Sequence, residues 1–187
     1  GGRCPRCRRR PRVIARQAAI GPYEGPLRAI LHALKYDRRP SVVAGLAARL
    51  RVAGRDVLAG ADACVPVPLH WRRHWRRGFN QADWLAREMG LPVAPLLRRT
   101  RHTAPQVGLP AAGRHGNVRD AFAIVPGVIQ RMGGRAGRLP PGLVLVLIDD
   151  VATTGATLEA CARALRACGA AEVRGLTAAR AVRARPA

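Results

Sequence analysis

Serine and lysine are almost missing from this chain of 187 residues: Ser41 is its only serine and Lys35 its only lysine. A lone serine behind Pro40, at a predicted helix start, leaves a serine hydrolase almost without a candidate nucleophile. No G-x-x-x-x-G-K-[ST] occurs, which counts against a P-loop ATPase, and Gly133-Gly134 with Gly137 lacks the strand-turn-helix setting of a dinucleotide site. No apolar run approaches the roughly 20 residues of a membrane-spanning helix. Internal repeats, a helix-turn-helix and an RNA-recognition signature are also absent. Five cysteines are an odd number, and no secretory segment accompanies them, so a disulfide framework is not expected and a cytoplasmic location is.

Carboxylates are scarce too. Thirty-three basic residues face 11 acidic ones, a formal charge of +22, and such a surface attracts polyanions. Genomic composition can explain arginine in place of lysine, but it cannot create the excess over carboxylates.

What is present is concentrated in residues 143 to 157, Leu-Val-Leu-Val-Leu-Ile-Asp-Asp-Val-Ala-Thr-Thr-Gly-Ala-Thr. The run from Leu143 to Ile148 is wholly apolar and has the length of a central parallel strand covered on both faces. A ligand is expected beyond its carboxyl end. Asp149 and Asp150 leave the strand there, and two adjacent anions repel unless hydroxyl donors or a hard cation such as Mg²⁺ engage them. Thr153, Thr154, Gly155, Ala156 and Thr157 predict a turn of small side chains and hydroxyls, open to a phosphate. Leu158, Cys161, Ala162 and Leu165 recur at helical spacing with Gly169 behind them, which predicts a helix over 158–168 whose N-terminus faces that phosphate. Strand character at 63–68 and 173–178, and helical periodicity in Leu27-Ile30-Leu31-Leu34 and Val42-Val43-Leu46-Leu50, complete an α/β pattern with a mainly parallel sheet.

The apolar run, Asp-Asp, Val-Ala and Thr-Thr-Gly-Ala-Thr together resemble the 5-phosphoribosyl-1-diphosphate (PRPP) motif of type I phosphoribosyltransferases. The resemblance implies that Asp149 and Asp150 hold the ribose 2′- and 3′-hydroxyls, directly or through Mg²⁺ and water, and act as the catalytic carboxylates. It implies that Ala152, Thr153, Thr154, Gly155, Ala156 and Thr157 wrap the 5′-phosphate. A second block, Cys64-Val-Pro-Val-Pro-Leu-His followed by Trp71-Arg-Arg-His-Trp-Arg-Arg-Gly-Phe-Asn-Gln-Ala-Asp-Trp-Leu-Ala, is similar to the ComF family, which includes competence proteins and GntX-type proteins. The spacing fits, as do Thr103 to Gln106, Arg114, Asn117, Val118 and Ala121-Phe122. Upstream, Tyr23, Leu27, Leu34, Lys35, Tyr36 and Arg39 resemble the same family's segment before its first helices.

The implied fold is a type I phosphoribosyltransferase-like α/β domain, a mainly parallel central sheet flanked by helices, over residues 17–187. Residues 1–16 would be a linker and the remnant of an N-terminal zinc ribbon. Cys4 and Cys7 have ribbon spacing, but no second CxxC follows, so zinc there needs ligands from a longer chain, and the Gly-Gly opening suggests truncation. Val65 and Val67 predict a short buried strand ending at Pro68. The resemblance implies that the loop behind it binds pyrophosphate through Pro66, Val67, Pro68, Arg77, Gly78 and Asn80, a role that arginine's planar fork suits. Arg72, Arg73 and Arg76 either join it or solvate a helix face. Trp71 and Trp75 either stack on a base or close the core, whereas core is the expected place of Trp84. His32 and His115 read as satisfied or solvated, while His70, His74 and His102 lie near the site.

Residues 98–119, rich in arginine, proline and glycine, read as a functional or mobile loop, and the resemblance implies that it closes over PRPP, with Gln106, Arg114 and Asn117 as contacts. Residues 126–141 are expected to be an extended connection without assigned function. Two functions follow. In one, the domain keeps PRPP and Mg²⁺ as a ligand or regulatory site, while its basic surface serves DNA uptake beside single-stranded DNA or a helicase. In the other, it is an active transferase passing ribose 5-phosphate from PRPP to a nitrogenous acceptor and releasing pyrophosphate. No segment legibly forms a hood for an acceptor base.

Overall fold

The computed structural model describes residues 13–36, 41–69, 78–100 and 121–181. Its centre is a parallel sheet of four strands in the order β1-β6-β5-β2, formed by Gln17–Pro22 (β1), Ala63–Pro66 (β2), Val144–Ala152 (β5) and Glu172–Arg180 (β6). Val93 extends the β2 edge through a parallel bridge to Cys64. Leu97–Arg99 (β3) and Phe122–Ile124 (β4) pair antiparallel as a separate ribbon. The helices are Gly25–Tyr36 (α1), Ser41–Ala53 (α2), Arg55–Leu58 (α3), Gln81–Arg87 (α4), Pro126–Arg131 (α5) and Ala156–Ala167 (α6).

β5 is central because both its faces are apolar. Leu145 and Leu147 enter one core with Val65, Leu158, Cys161, Leu165 and the β3–β4 ribbon. Val146 and Ile148 enter the other with Leu31, Leu34, Leu46, Leu50 and Leu85. All four β5 side chains are completely buried, as period-2 alternation between two covered faces requires. The two cores place α1, α2 and α4 on one side of the sheet and α6 on the other. The chain leaves β2 toward α4 on one face and leaves β5 toward α6 on the opposite face. Neighbouring strands β2 and β5 therefore flank a topological switch point, where open α/β sheets bind ligands.

Several expectations change in detail. β5 runs on to Ala152, so Asp149 and Asp150 belong to the strand's last residues rather than the turn behind it. Pairing of Asp149 with Thr177 and of Val151 with Ala179 on β6 extends the ladder past the apolar run, which alone was visible as a strand. α6 starts at Ala156, two residues early, and ends at the expected place, with Cys168 as C-cap and Gly169 behind it at φ 106°. Arg98 and Arg99 are in β3 rather than a loop. Residues 126–141 are not extended: they form α5 and a tight turn bridged between Arg135 and Arg138. β1 was not anticipated, because Gln17-Ala-Ala-Ile-Gly-Pro has little strand character, and it is held by its pairing with β6. Backbone bonding already begins upstream, where Ala15 N–H donates to Val173 O and Ile14 is buried in the core. Within α1, Leu31 and Leu34 are buried as expected, whereas Ile30 is 39% exposed.

Candidate functional site

The carboxyl ends of β2 and β5 meet. Pro66 stands opposite Ile148, and Val67 N–H donates to Ile148 O at 2.9 Å, so the loop leaving β2 runs beside Asp149. Two motif pieces far apart in sequence, Pro66–Val67 and Ile148–Asp149, thus border one crevice. Both aspartates are half-buried. Asp149 Oδ1 accepts the Asp150 N–H at 2.8 Å, which orients the first carboxylate with the strand's own backbone.

Behind them, Thr153 is exposed and Thr154, Gly155 and Thr157 are half-buried, while Ala152 and Ala156 pack inward. Gly155 caps α6 with φ 78°, the left-handed region that favours glycine, and its carbonyl accepts the Glu159 N–H at 2.9 Å. Thr154 Oγ1 accepts the Ala156 N–H at 3.4 Å. Ala156 and Thr157 belong to the first helical turn rather than the preceding loop, which puts the Thr157 side chain on the helix N-terminus, where the macrodipole favours an anion.

Asn80 has a structural task. Its Oδ1 accepts the Ala82 N–H at 3.1 Å, capping α4, and its Nδ2 donates to Val67 O at 3.1 Å. One side chain therefore ties α4 to the loop at the end of β2. Gly78 precedes this clamp at φ 75°, and Phe79, buried, stacks on the half-buried Trp84 with ring centroids 4.3 Å apart. Arg77, Trp71, Trp75, His70, His74, Gln106, Arg114, Asn117, Cys4 and Cys7 lie outside the described residues.

Sequence reasoning missed Arg99. From β3 its guanidinium sits 5.5 Å from the Phe122 ring centroid. Burial pushes the Cys161 thiol well above its ordinary range, the Asp149 charge raises it further and the Arg99 charge opposes this. Only pairing with β4 puts Arg99 there, and nothing local in Leu-Arg-Arg-Thr announces it. Burial also pushes Cys64 up to about 12. Neither thiol is poised as a nucleophile.

Mg²⁺ can be tested against the donors present. Two half-buried carboxylates supply hard oxygens, and among the described residues no group of three or more His, Cys, Asp or Glu exists. That donor set fits Mg²⁺ held by one or two carboxylates together with ligand phosphates, the usual manner of its binding, and does not fit a cage made by protein alone.

Residues 75–186 match the phosphoribosyl transferase domain. DNA utilization protein YhgH of Salmonella typhi is 36% identical over 184 residues, covering 91% of this chain and 74% of the relative. Competence protein F of Haemophilus influenzae is 31% identical over 180 residues, with 91% and 75% covered. The chain belongs to the ComF family of phosphoribosyltransferase-fold proteins. A solved chain described as the structure of the allosteric regulatory enzyme of purine biosynthesis overlays with a TM-score of 0.46 and 21% identity, over 79% of this chain and 30% of that one. For this ComF-family chain the parallel sheet flanked by helices is the expected type I architecture, and no described helix is long and apolar enough to cross a membrane.

Proposed function

We propose that the crevice between β2 and β5 binds PRPP together with Mg²⁺, and that the protein serves DNA uptake by contacting single-stranded DNA, in keeping with what the names of its relatives say of them. The observation that carries the reading is the register that sets Pro66–Val67 beside Ile148–Asp149 at the switch point, with the α6 N-terminus directly behind. Asp149 and Asp150 accept the ribose hydroxyls or hold the cation. Thr153, Thr154 and Thr157 offer hydroxyls to the 5′-phosphate at the helix N-terminus. Pro66, Val67 and Pro68 shape the wall along the diphosphate, and Asn80 keeps that wall in place. Mg²⁺, when bound, would offset charge on the diphosphate.

The reading is tested by equilibrium binding of PRPP to Asp149→Asn with Asp150→Asn. The expected result is a folded variant whose Mg²⁺-dependent affinity is weaker by more than tenfold, about 1.4 kcal/mol. Equal affinities in variant and parent would remove the site. Pyrophosphate release with a panel of nucleobases reads the transferase alternative directly.

A further inference from the structure

The segment 126–142 carries three arginines and no carboxylate, and the PRPP crevice makes no use of it. Its backbone is locked. Arg135 N–H donates to Arg138 O at 3.1 Å and Arg138 N–H to Arg135 O at 2.9 Å, closing a two-residue turn at Ala136 (φ 50°) and Gly137 (φ 73°). Leu139 N–H donates to Cys168 O at 2.9 Å, and Cys168 Sγ donates to Gly137 O at 2.9 Å, so the turn is anchored to the C-terminal end of α6. Beside it lies a depression of about 440 Å³ bordered by Gly134, Arg135, Arg138, Pro140 and Gly169.

Among the described residues, Arg131, Arg135 and Arg138 form no ion pair. Glu172, at the start of β6, is engaged elsewhere: Arg174 Nε binds it at 2.6 Å, and Arg174, Arg16 and Arg166 together hold its carboxyl below the usual range. Three guanidinium groups without a carboxylate partner among the described residues thus border a turn closed by backbone hydrogen bonds. The corner lies at the opposite end of α6 from the PRPP turn, about 18 Å away for 12 residues at 1.5 Å each.

We propose that the Arg135–Arg138 turn and its depression form a second anion site, which grips the phosphate backbone of single-stranded nucleic acid. Guanidinium forks suit phosphate oxygens. No aromatic residue occurs in 126–142, so the site lacks the means to stack on bases and reads backbone alone, independently of sequence. A protein partner would need an apolar centre to its interface, and the exposed large hydrophobics of the described residues, Ile30 and Val52, are on α1 and α2. The proposal takes from the preceding section only that nucleic acid is a partner, not that PRPP binds.

The test is the salt dependence of binding a labelled oligothymidylate to the full chain, as parent and as Arg135→Gln with Arg138→Gln. The turn is closed by backbone bonds, which the substitutions leave in place. The log–log salt slope is expected to become shallower by about 1.4, roughly 0.7 for each lost phosphate contact, with PRPP affinity unchanged. An unchanged slope and affinity, or no binding by the parent at low salt, would overturn the proposal. So would displacement of the oligothymidylate by polyglutamate as readily as by unlabelled strand. PRPP titrated into the same samples separates the two readings: a parent that ignores PRPP but shows the slope change sinks only the crevice.

Discussion

Gly155 is the residue on which the turn proposed for the 5′-phosphate depends most directly. Its φ of 78° is strained for any L side chain, yet nothing lies within 4 Å of a Cβ built there, so the cost of Gly155→Ala is backbone strain without a clash. A loss of about 1 kcal/mol is expected in chemical denaturation. A larger loss of PRPP affinity should accompany it, because relaxing the turn moves the donors of Thr153 and Thr154. Glu172 provides a pH signature of its own. The hydrogen bond from Arg174, aided by the charges of Arg174, Arg16 and Arg166, lowers its carboxyl pKa, so its contribution to stability is complete above the unfolded carboxylate range and fades as pH falls through the lowered folded value. Denaturation of parent and Glu172→Gln should therefore differ at neutral pH and converge in acid. A difference that grew on acidification would contradict the pairing.

At the scale of elements, two contacts decide how helices meet the sheet. Asn80 ends one helix and fastens one loop, so Asn80→Ala is expected to cost about 1 kcal/mol as a lost cap and to weaken PRPP binding through Val67. A stability loss with unchanged PRPP affinity would show that the loop holds itself. The junction of α2 and α3 approaches β6 closely at Gly54, where a Cβ would stand 2.6 Å from Leu176 Cδ2 and 3.0 Å from Leu50 O. Gly54→Ala should destabilise by about 1–3 kcal/mol through overpacking, read in the same denaturation experiment. Elements were legible where one sequence signal sufficed. The apolar run of β5 and the 3.6-residue period of α6 needed no tertiary help. β1 is a strand because β6 offers it a ladder, β3 because Phe122 and Ala123 lie opposite it, and α5 starts at Pro126 in a stretch whose glycines argued for coil.

For the whole molecule, the legible part of the site was the part contributed by contiguous residues. Asp149 to Thr157 form one strand end, turn and helix start, and the chemistry proposed for them was read without help from the fold. Asn80 was expected in the loop as a diphosphate contact, whereas its observed role as a clamp depends on Val67 O, thirteen residues away, and pattern alone does not show that bond. Arg99 needed the β3–β4 pairing, and the Arg135–Arg138 corner needed the fold that sets Leu139 against Cys168. The charge of +22 favours polyanion contact from composition while leaving any location open. The proposed arginine surface lies at the amino edge of the sheet and the crevice proposed for PRPP at the carboxyl edge, so ligands of the two sites need not compete. The measurement that tests the central claim most directly is calorimetric titration of PRPP into the full chain with and without Mg²⁺. Saturable binding that strengthens with Mg²⁺ is the predicted result, and a folded protein that takes up no heat from PRPP in either condition would contradict it.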